Sequence, residues 1–174
     1  MAQLTEKKAD RATIKKRRRN NVKVLVNPHI SPEELFSFYE RSNICEQALG
    51  MEVASRVLDH SSCIVAAFED DRLVGIARAM FDGLSATVME FSVDLEYQGD
   101  GLRHNNGSLV EKDASNVGKK MGKVLLDELN RIGATFITAY IVGGCEERFY
   151  RAIGFRPNTG HKAYYIDKRP YVLE

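Results

Sequence analysis

The chain is short of cysteine, with only Cys45, Cys63 and Cys145 in 174 residues. They stand far apart, with no CxxC pair and no histidine nearby at metal-ligand spacing. That argues against a disulfide framework and a zinc site, and it favours a reducing compartment. No apolar run approaches the roughly 18 residues that a membrane-spanning helix requires. The first residues lack the apolar segment of a signal peptide. The expectation is therefore a cytoplasmic protein with no membrane partner and no metal. A Walker loop is missing too: Lys123 follows Gly122, but Val124 stands where Ser or Thr is required. His29, His60, His104 and His161 are scattered and form no ligand set. Net charge is small, +1 overall, so the chain as a whole carries no electrostatic signature of a nucleic-acid binder.

The charge is unevenly placed. The first nineteen residues hold eight Lys or Arg against two acids, including the run KKRRR from Lys15 to Arg19, and the rest of the chain is mildly acidic. Residues 1–21 are polar and lack a sustained apolar stripe, so they read as a basic, disordered arm. The arm leaves open a nucleic-acid or other anionic partner, a nuclear address, or plain solvation. Apolar residues make up 44% and charged residues 28%, an ordinary soluble balance. One globular domain over residues 22–174 is expected.

Along that domain, Val22–Val26 (VKVLV) predicts a strand. Ser31, Pro32 and Glu34 then open a helix with an N-cap, a first-position proline and first-turn acids. A second helix is expected over Glu46–Leu58. CIVAAF (Cys63–Phe68), Leu73–Phe81 and Ala86–Val93 predict three antiparallel strands joined by polar turns at 69–72 and 82–83. Asp94–Asn116 is a long polar connection with glycines at 99, 101 and 107, longer than compact domains usually tolerate without a purpose. A helix over Val117–Ile132, a strand over Ala134–Val142, a short helix over Cys145–Ile153 and two strands near Phe155 and Ala163–Ile166 complete the order. It predicts an α/β fold with a mixed, mostly antiparallel sheet of about six to seven strands and about four flanking helices.

The helix at Val117 carries most of the chemistry. Val117, Met121, Val124, Leu125, Leu129 and Ile132 recur at three- and four-residue steps and predict an apolar face lying on the sheet. Gly118 and Gly122 at its start allow close approach of a ligand, and first-turn N–H groups lack intrahelical partners. Lys119, Lys120 and Lys123 oppose the helix dipole there, an arrangement better explained by a bound anion such as pyrophosphate.

These segments together resemble the GNAT superfamily of acyl-CoA-dependent N-acyltransferases over roughly residues 22–166. The carriers are DDRLVGIARA (Asp70–Ala79), the strand ending FSV at Val93 followed by EYQG (Glu96–Gly99), VGKKMGKVLLDEL from Val117, and FYRAIGF (Phe149–Phe155). The family motif is similar to (Q/R)xxGx(G/A)xG. Gly118 takes its first glycine and Gly122 its last, while Lys120 stands where Gly or Ala is usual and Ser115 where Gln or Arg is usual. Gln98-Gly99-Asp100-Gly101 is a partial second match that does not run into an apolar helix. Residues 100–116 then read as an insertion before the helix start, so the long loop spans 99–116.

The resemblance implies acetyl-CoA as acyl donor, with its pyrophosphate on Gly118, Lys119, Lys120, Met121, Gly122 and Lys123. It implies that Phe91, Ser92 and Val93 line the pantetheine arm through backbone groups that pair as an added strand would. Tyr150 is the implied proton donor to the departing thiolate, and Glu90 the implied general base for a protonated amine. On plain alternation, Val88, Glu90 and Ser92 share one face of their strand and Met89, Phe91 and Val93 the other. His161 follows the 155–160 turn, where acceptors bind in such proteins. Cys145 at a helix start is read as a small buried residue. The expected activity is acetyl transfer to a primary amine, of a small molecule or of a protein, by direct attack. A homodimer is compatible with the resemblance. The alternatives are a non-catalytic acyl-CoA sensor and a nucleic-acid-associated protein working through the arm.

Overall fold

The computed structural model describes residues 21–164 and 166. Apart from Asn21, the expected basic arm lies outside them. Five strands form one sheet in the order β1-β2-β3-β4-β5: β1 Val22–Val26, β2 Cys63–Glu69, β3 Arg72–Phe81, β4 Ser85–Val93 and β5 Phe136–Ala139. Neighbours are antiparallel except β4 and β5, which run parallel.

Helix α1 (Pro32–Arg41) begins as its sequence predicts, with the Ser31 side chain accepting from the Glu34 amide at 3.1 Å. The second helical stretch is broken at Gly50 into a 3-10 turn (Cys45–Leu49) and α2 (Met51–His60). A short α3 (Leu95–Gln98) follows β4, then α4 (Val117–Arg131) and α5 (Glu147–Ala152). Gly133, at φ +99°, lets the chain leave α4 with the Ala134 amide reaching back to the Leu129 carbonyl.

The sheet is covered on both faces, which is why CIVAAF is apolar without alternation. Ile64, Ala66, Leu73 and Ile76 face α1, against Leu35, Phe38 and Tyr39. Val65, Ala67, Val74 and Ala77 face α4, whose Val117, Met121, Leu125 and Leu129 are buried as the periodicity predicts.

Three expectations are corrected. The sheet has five strands among the described residues rather than six or seven, and β5 is shorter than 134–142. Phe155 and residues 163–164 and 166 form no strand, and Tyr164 and Ile166 are exposed; Tyr165 lies outside the described residues. Pro157, Asn158 and Gly160 favour a turn just where the pairing would begin. Five α-helices are seen among the described residues, in keeping with the expected number, the additional one being the single turn α3.

Candidate active site

Strand β4 supplies the frame. Its first half pairs with β5, from Ser85–Phe136 to Val88–Ala139, and the two strands then part. The second half of β4, residues 89–93, keeps only β3 as a strand neighbour. Because the Asp94 amide donates to Val74 on β3, the alternating N–H and C=O of Val93 point into the fork.

A β-bulge sits in this strand. Arg78 pairs with Glu90 and Ala79 with Val88, leaving Met89 as the extra residue, 57% exposed. The bulge shifts the side-chain phase by one. Val88 therefore joins Phe91 and Val93 in the core under α4, which corrects the alternation expected for Val88. Glu90 and Ser92 face the opposite layer.

Glu90 is buried there in a network rather than facing a solvent channel. Its Oε2 accepts from Arg78 Nε at 2.6 Å and from the Tyr39 hydroxyl at 2.8 Å, and its Oε1 accepts from Ser92 Oγ at 2.8 Å. Arg78 is also tied to Ser61 Oγ. Burial and the neighbouring Glu90 charge push the Tyr39 hydroxyl far above the ordinary phenol value, so it stays a donor. The Ser92 side chain thus belongs to this network, and its backbone is turned toward β3, with Ile76 as its partner.

Across the sheet, Phe91 meets Phe149 edge-on with ring centroids 4.9 Å apart, and Tyr150 packs against Phe91, Phe149 and Phe155. The Tyr150 hydroxyl makes no hydrogen bond among the described residues, and burial followed by the Glu146 charge raises its pKa. A phenol kept protonated beside the fork suits a proton donor. The structure therefore brings Phe91, Val93, Tyr150 and the start of α4 together. His161 is exposed, with Nδ1 3.1 Å from Asn158 Oδ1.

The glycines of α4 have a packing reason that sequence did not reveal. A Cβ on Gly122 would lie 2.9 Å from Ile153 Cγ2, and one on Gly118 would lie 2.8 Å from the Phe149 ring. They let α5 sit against α4. Met121 is buried in the core, Lys119 and Lys120 are exposed, and Lys123 pairs with Asp127.

At the helix start the N–H groups of Gly118 and Lys119 both donate to Asp113, at 3.0 Å to Oδ1 and 2.8 Å to Oδ2. Asp113 belongs to the long connection, in which residues 106–110 are packed while residues 103–105 are exposed. Gln98 is fully buried; its Nε2 donates to the Val93 and Gly107 carbonyls, and its Oε1 accepts from the Glu111 amide. The Gly107 carbonyl accepts from the Val93 amide at 2.9 Å, and Val110 is buried with Phe91, Val117, Phe149 and Tyr150. The Glu146 carboxylate holds the Val110 and Val142 amides, and burial raises its pKa. Cys145 is half-buried rather than buried as expected, and desolvation followed by the Glu111 charge raises its thiol pKa. Sequence reasoning missed Asp113, Gly107, Gln98 and Glu146. Only Asp113 left a local signal, an acid shortly before a helix start.

No protein-family model matches the chain, and no curated protein matches it. Solved structures do. A probable acetyltransferase of unknown function from meticillin-resistant Staphylococcus aureus is 18% identical, with 84% of this chain and 98% of that one covered and a TM-score of 0.64. A GNAT-family acetyltransferase from Streptococcus pneumoniae is 18% identical over 85% and 99% of the two chains, with a TM-score of 0.58. A ribosomal-protein-alanine N-acetyltransferase from Brucella melitensis is 18% identical over 84% and 98%, with a TM-score of 0.59. The chain therefore has the fold of GNAT-family acetyltransferases.

An acyl-CoA can be tested against the residues present. Two adjacent amides at the start of α4 converge on one anion, which is the donor set a phosphate needs. In this structure the anion they hold is the carboxylate of Asp113.

Proposed function

We propose that the protein is an N-acetyltransferase that uses acetyl-CoA and acts on a primary amine of a small molecule or a protein. The observation that carries this reading is the fork between β4 and β5 with the start of α4 at its mouth, because backbone donors there converge on an anion beside a strand edge that no neighbouring strand covers. When bound, the cofactor would supply an acyl thioester open to attack by the amine. Gly118 and Lys119 would hold its pyrophosphate through their amides, aided by the exposed charges of Lys119 and Lys120; Lys120, Met121, Gly122 and Lys123 continue that turn. The backbone of Phe91 and Val93 would line the arm. An amide of β4 in the fork would stabilise developing negative charge on an oxygen, and orientation of the reactants would supply much of the rate.

Tyr150 would hold a proton on its hydroxyl for the departing sulfur. Glu90 fits general base less well than anchor: Arg78, Tyr39 and Ser92 already engage both its oxygens, so we assign it to fastening α1 to β4. His161 remains the candidate contact to the acceptor. The test is release of free thiol from acetyl-CoA across a panel of primary amines. Turnover with at least one amine is expected, and binding without turnover anywhere on a broad panel would defeat the enzymatic reading.

A second reading has its own observation. Glu90, the implied general base, has both its oxygens engaged by Arg78, Tyr39 and Ser92, which fits a non-catalytic acyl-CoA sensor, and the same panel separates the two. Nucleic-acid association would depend on the arm, and deletion of residues 1–21 with loss of salt-dependent binding would test it.

A further inference from the structure

The long connection after β4 touches three of the points the proposed function assigns to cofactor. Asp113 puts a carboxylate on the Gly118 and Lys119 amides. Gly107 puts a carbonyl on the Val93 amide in the fork. Val110 puts an apolar side chain among Phe91, Phe149 and Tyr150. Resting on the reading above, we propose that residues 100–113 form an autoinhibitory plug that mimics an acyl-CoA, with Asp113 in place of the pyrophosphate and residues 107–110 in place of the arm.

Chemistry makes the two occupants exclusive. Both amides of the pair are committed to Asp113, and a carboxylate and a phosphate at one helix start would repel one another. Steric fit points the same way, since the space a Cβ would need at Gly107 lies 2.7 Å from Ser42 Cβ and 3.2 Å from the Val93 carbonyl. The plug is also built to leave as a unit. Its two ends meet at a neck, where Ala114 and Ser115 donate their amides to the Gln98 and Tyr97 carbonyls. Beyond that neck it is tied to the rest of the chain by separate hydrogen bonds, to Gln98, Glu146, the Val93 amide, the Ser42 carbonyl, the Asn43 side chain, Cys45 Sγ and the α4 amides.

One independent feature disfavours the closed form. Ser42 Oγ is buried beside Gly107 and has no hydrogen-bond partner among the described residues. A buried hydroxyl without a partner is unfavourable, and withdrawal of residues 106–110 would return it to water. An ordinary surface loop would have no reason to bury an unpaired hydroxyl against a cofactor fork.

The test is calorimetric titration of the full chain with CoA, which binds without turnover, for three proteins: the wild type, Asp113→Asn, and a variant with residues 100–113 replaced by Gly-Gly across the neck. Hydrogen exchange of the wild type with and without CoA runs alongside. If the plug is closed about nine-tenths of the time, either variant should bind CoA about tenfold more tightly. CoA should also speed exchange at the Gly107 and Val110 amides while leaving Gly118 and Lys119 protected. Equal affinity in all three proteins with unchanged exchange over 106–110 would overturn the plug and make Asp113 a helix cap only, while the cofactor reading stands. If none of the three binds CoA, the cofactor reading itself fails and takes the plug with it. The exchange experiment needs no variant, so misfolding of either one does not leave the question open.

Discussion

Glu90→Gln separates an anchor from a base because it removes charge while keeping shape. The Glu90 and Arg78 side chains are 7% and 11% exposed, and Tyr39 and Ser92 close the network. The glutamine oxygen can still accept from Arg78 and Tyr39, and its amide can donate to the Ser92 hydroxyl, which accepts as readily as it donates. What is lost is the neutralisation of a buried guanidinium. Removing one partner of such a pair costs about 3–5 kcal/mol; with the hydrogen bonds retained, about 2–4 kcal/mol is expected. For a chain of this size that lowers Tm by about 4–16 °C. Urea denaturation followed by circular dichroism measures it, together with the double variant Arg78→Met, Glu90→Leu, which should recover at least about 2 kcal/mol because no charge is left stranded. The reasoning fails if Glu90→Gln stays within about 0.5 kcal/mol of wild type while turnover collapses by more than about a hundredfold. That pair of results would make Glu90 the base.

Tyr150→Phe should lower kcat about a hundredfold with CoA affinity within about twofold, and with stability unchanged because the hydroxyl has no internal partner; steady-state kinetics and calorimetry read both, and an unaltered kcat would remove Tyr150 from the reaction. Gly122→Ala gains about 1 kcal/mol of helix propensity but drives a methyl into the Ile153 Cβ and both its methyls, an overpacking of about 1–3 kcal/mol; a net loss rescued by Ile153→Ala is expected in denaturant titrations, and a net gain would show that α5 is not held there. For Glu146 the sign follows from burial. Its pKa lies above the ordinary 4.5, so its contribution to stability is fullest below 4.5 and is withdrawn as pH rises through the raised value. Glu146→Gln should therefore flatten the fall in stability above pH 4.5 relative to wild type, and parallel pH profiles would contradict the assignment.

What sequence revealed and what it hid divide along the range of the interactions. Ser31-Pro32, the CIVAAF strand and the α4 stripe are set by residues within a turn or two of one another, and each appears where its pattern puts it. The phase of Val88 was hidden because a bulge at Met89 is defined only by register with β3. Gly118 and Gly122 were legible as special, but their packing role was not: the side chains that exclude a Cβ, Phe149 and Ile153, come from another part of the chain. The length of the polar connection after β4 marked it as purposeful, but nothing local announced that Gln98 and Glu146 would supply its hydrogen bonds from inside. The expected strands after Phe155 rested on short apolar runs, and a run that short forms a strand only where a partner edge meets it.

The cations at the start of α4 join these strands of evidence. Lys119 and Lys120 lie at the positive end of the helix dipole, an unfavourable placement unless negative charge is close. Asp113 provides that charge, so the closed form resolves the conflict locally. Opening the plug would strip both amides of their acceptor and leave the lysines facing the dipole. An open form is therefore disfavoured on its own and becomes favourable only as another anion takes the place of the carboxylate. Release of residues 106–113 and capture of a phosphate are then one equilibrium rather than two. The strength of that coupling depends on Asp113 and the lysines together: neutralising Asp113 should tighten CoA binding, whereas neutralising Lys119 and Lys120 should relieve the conflict and weaken the drive to hold any anion.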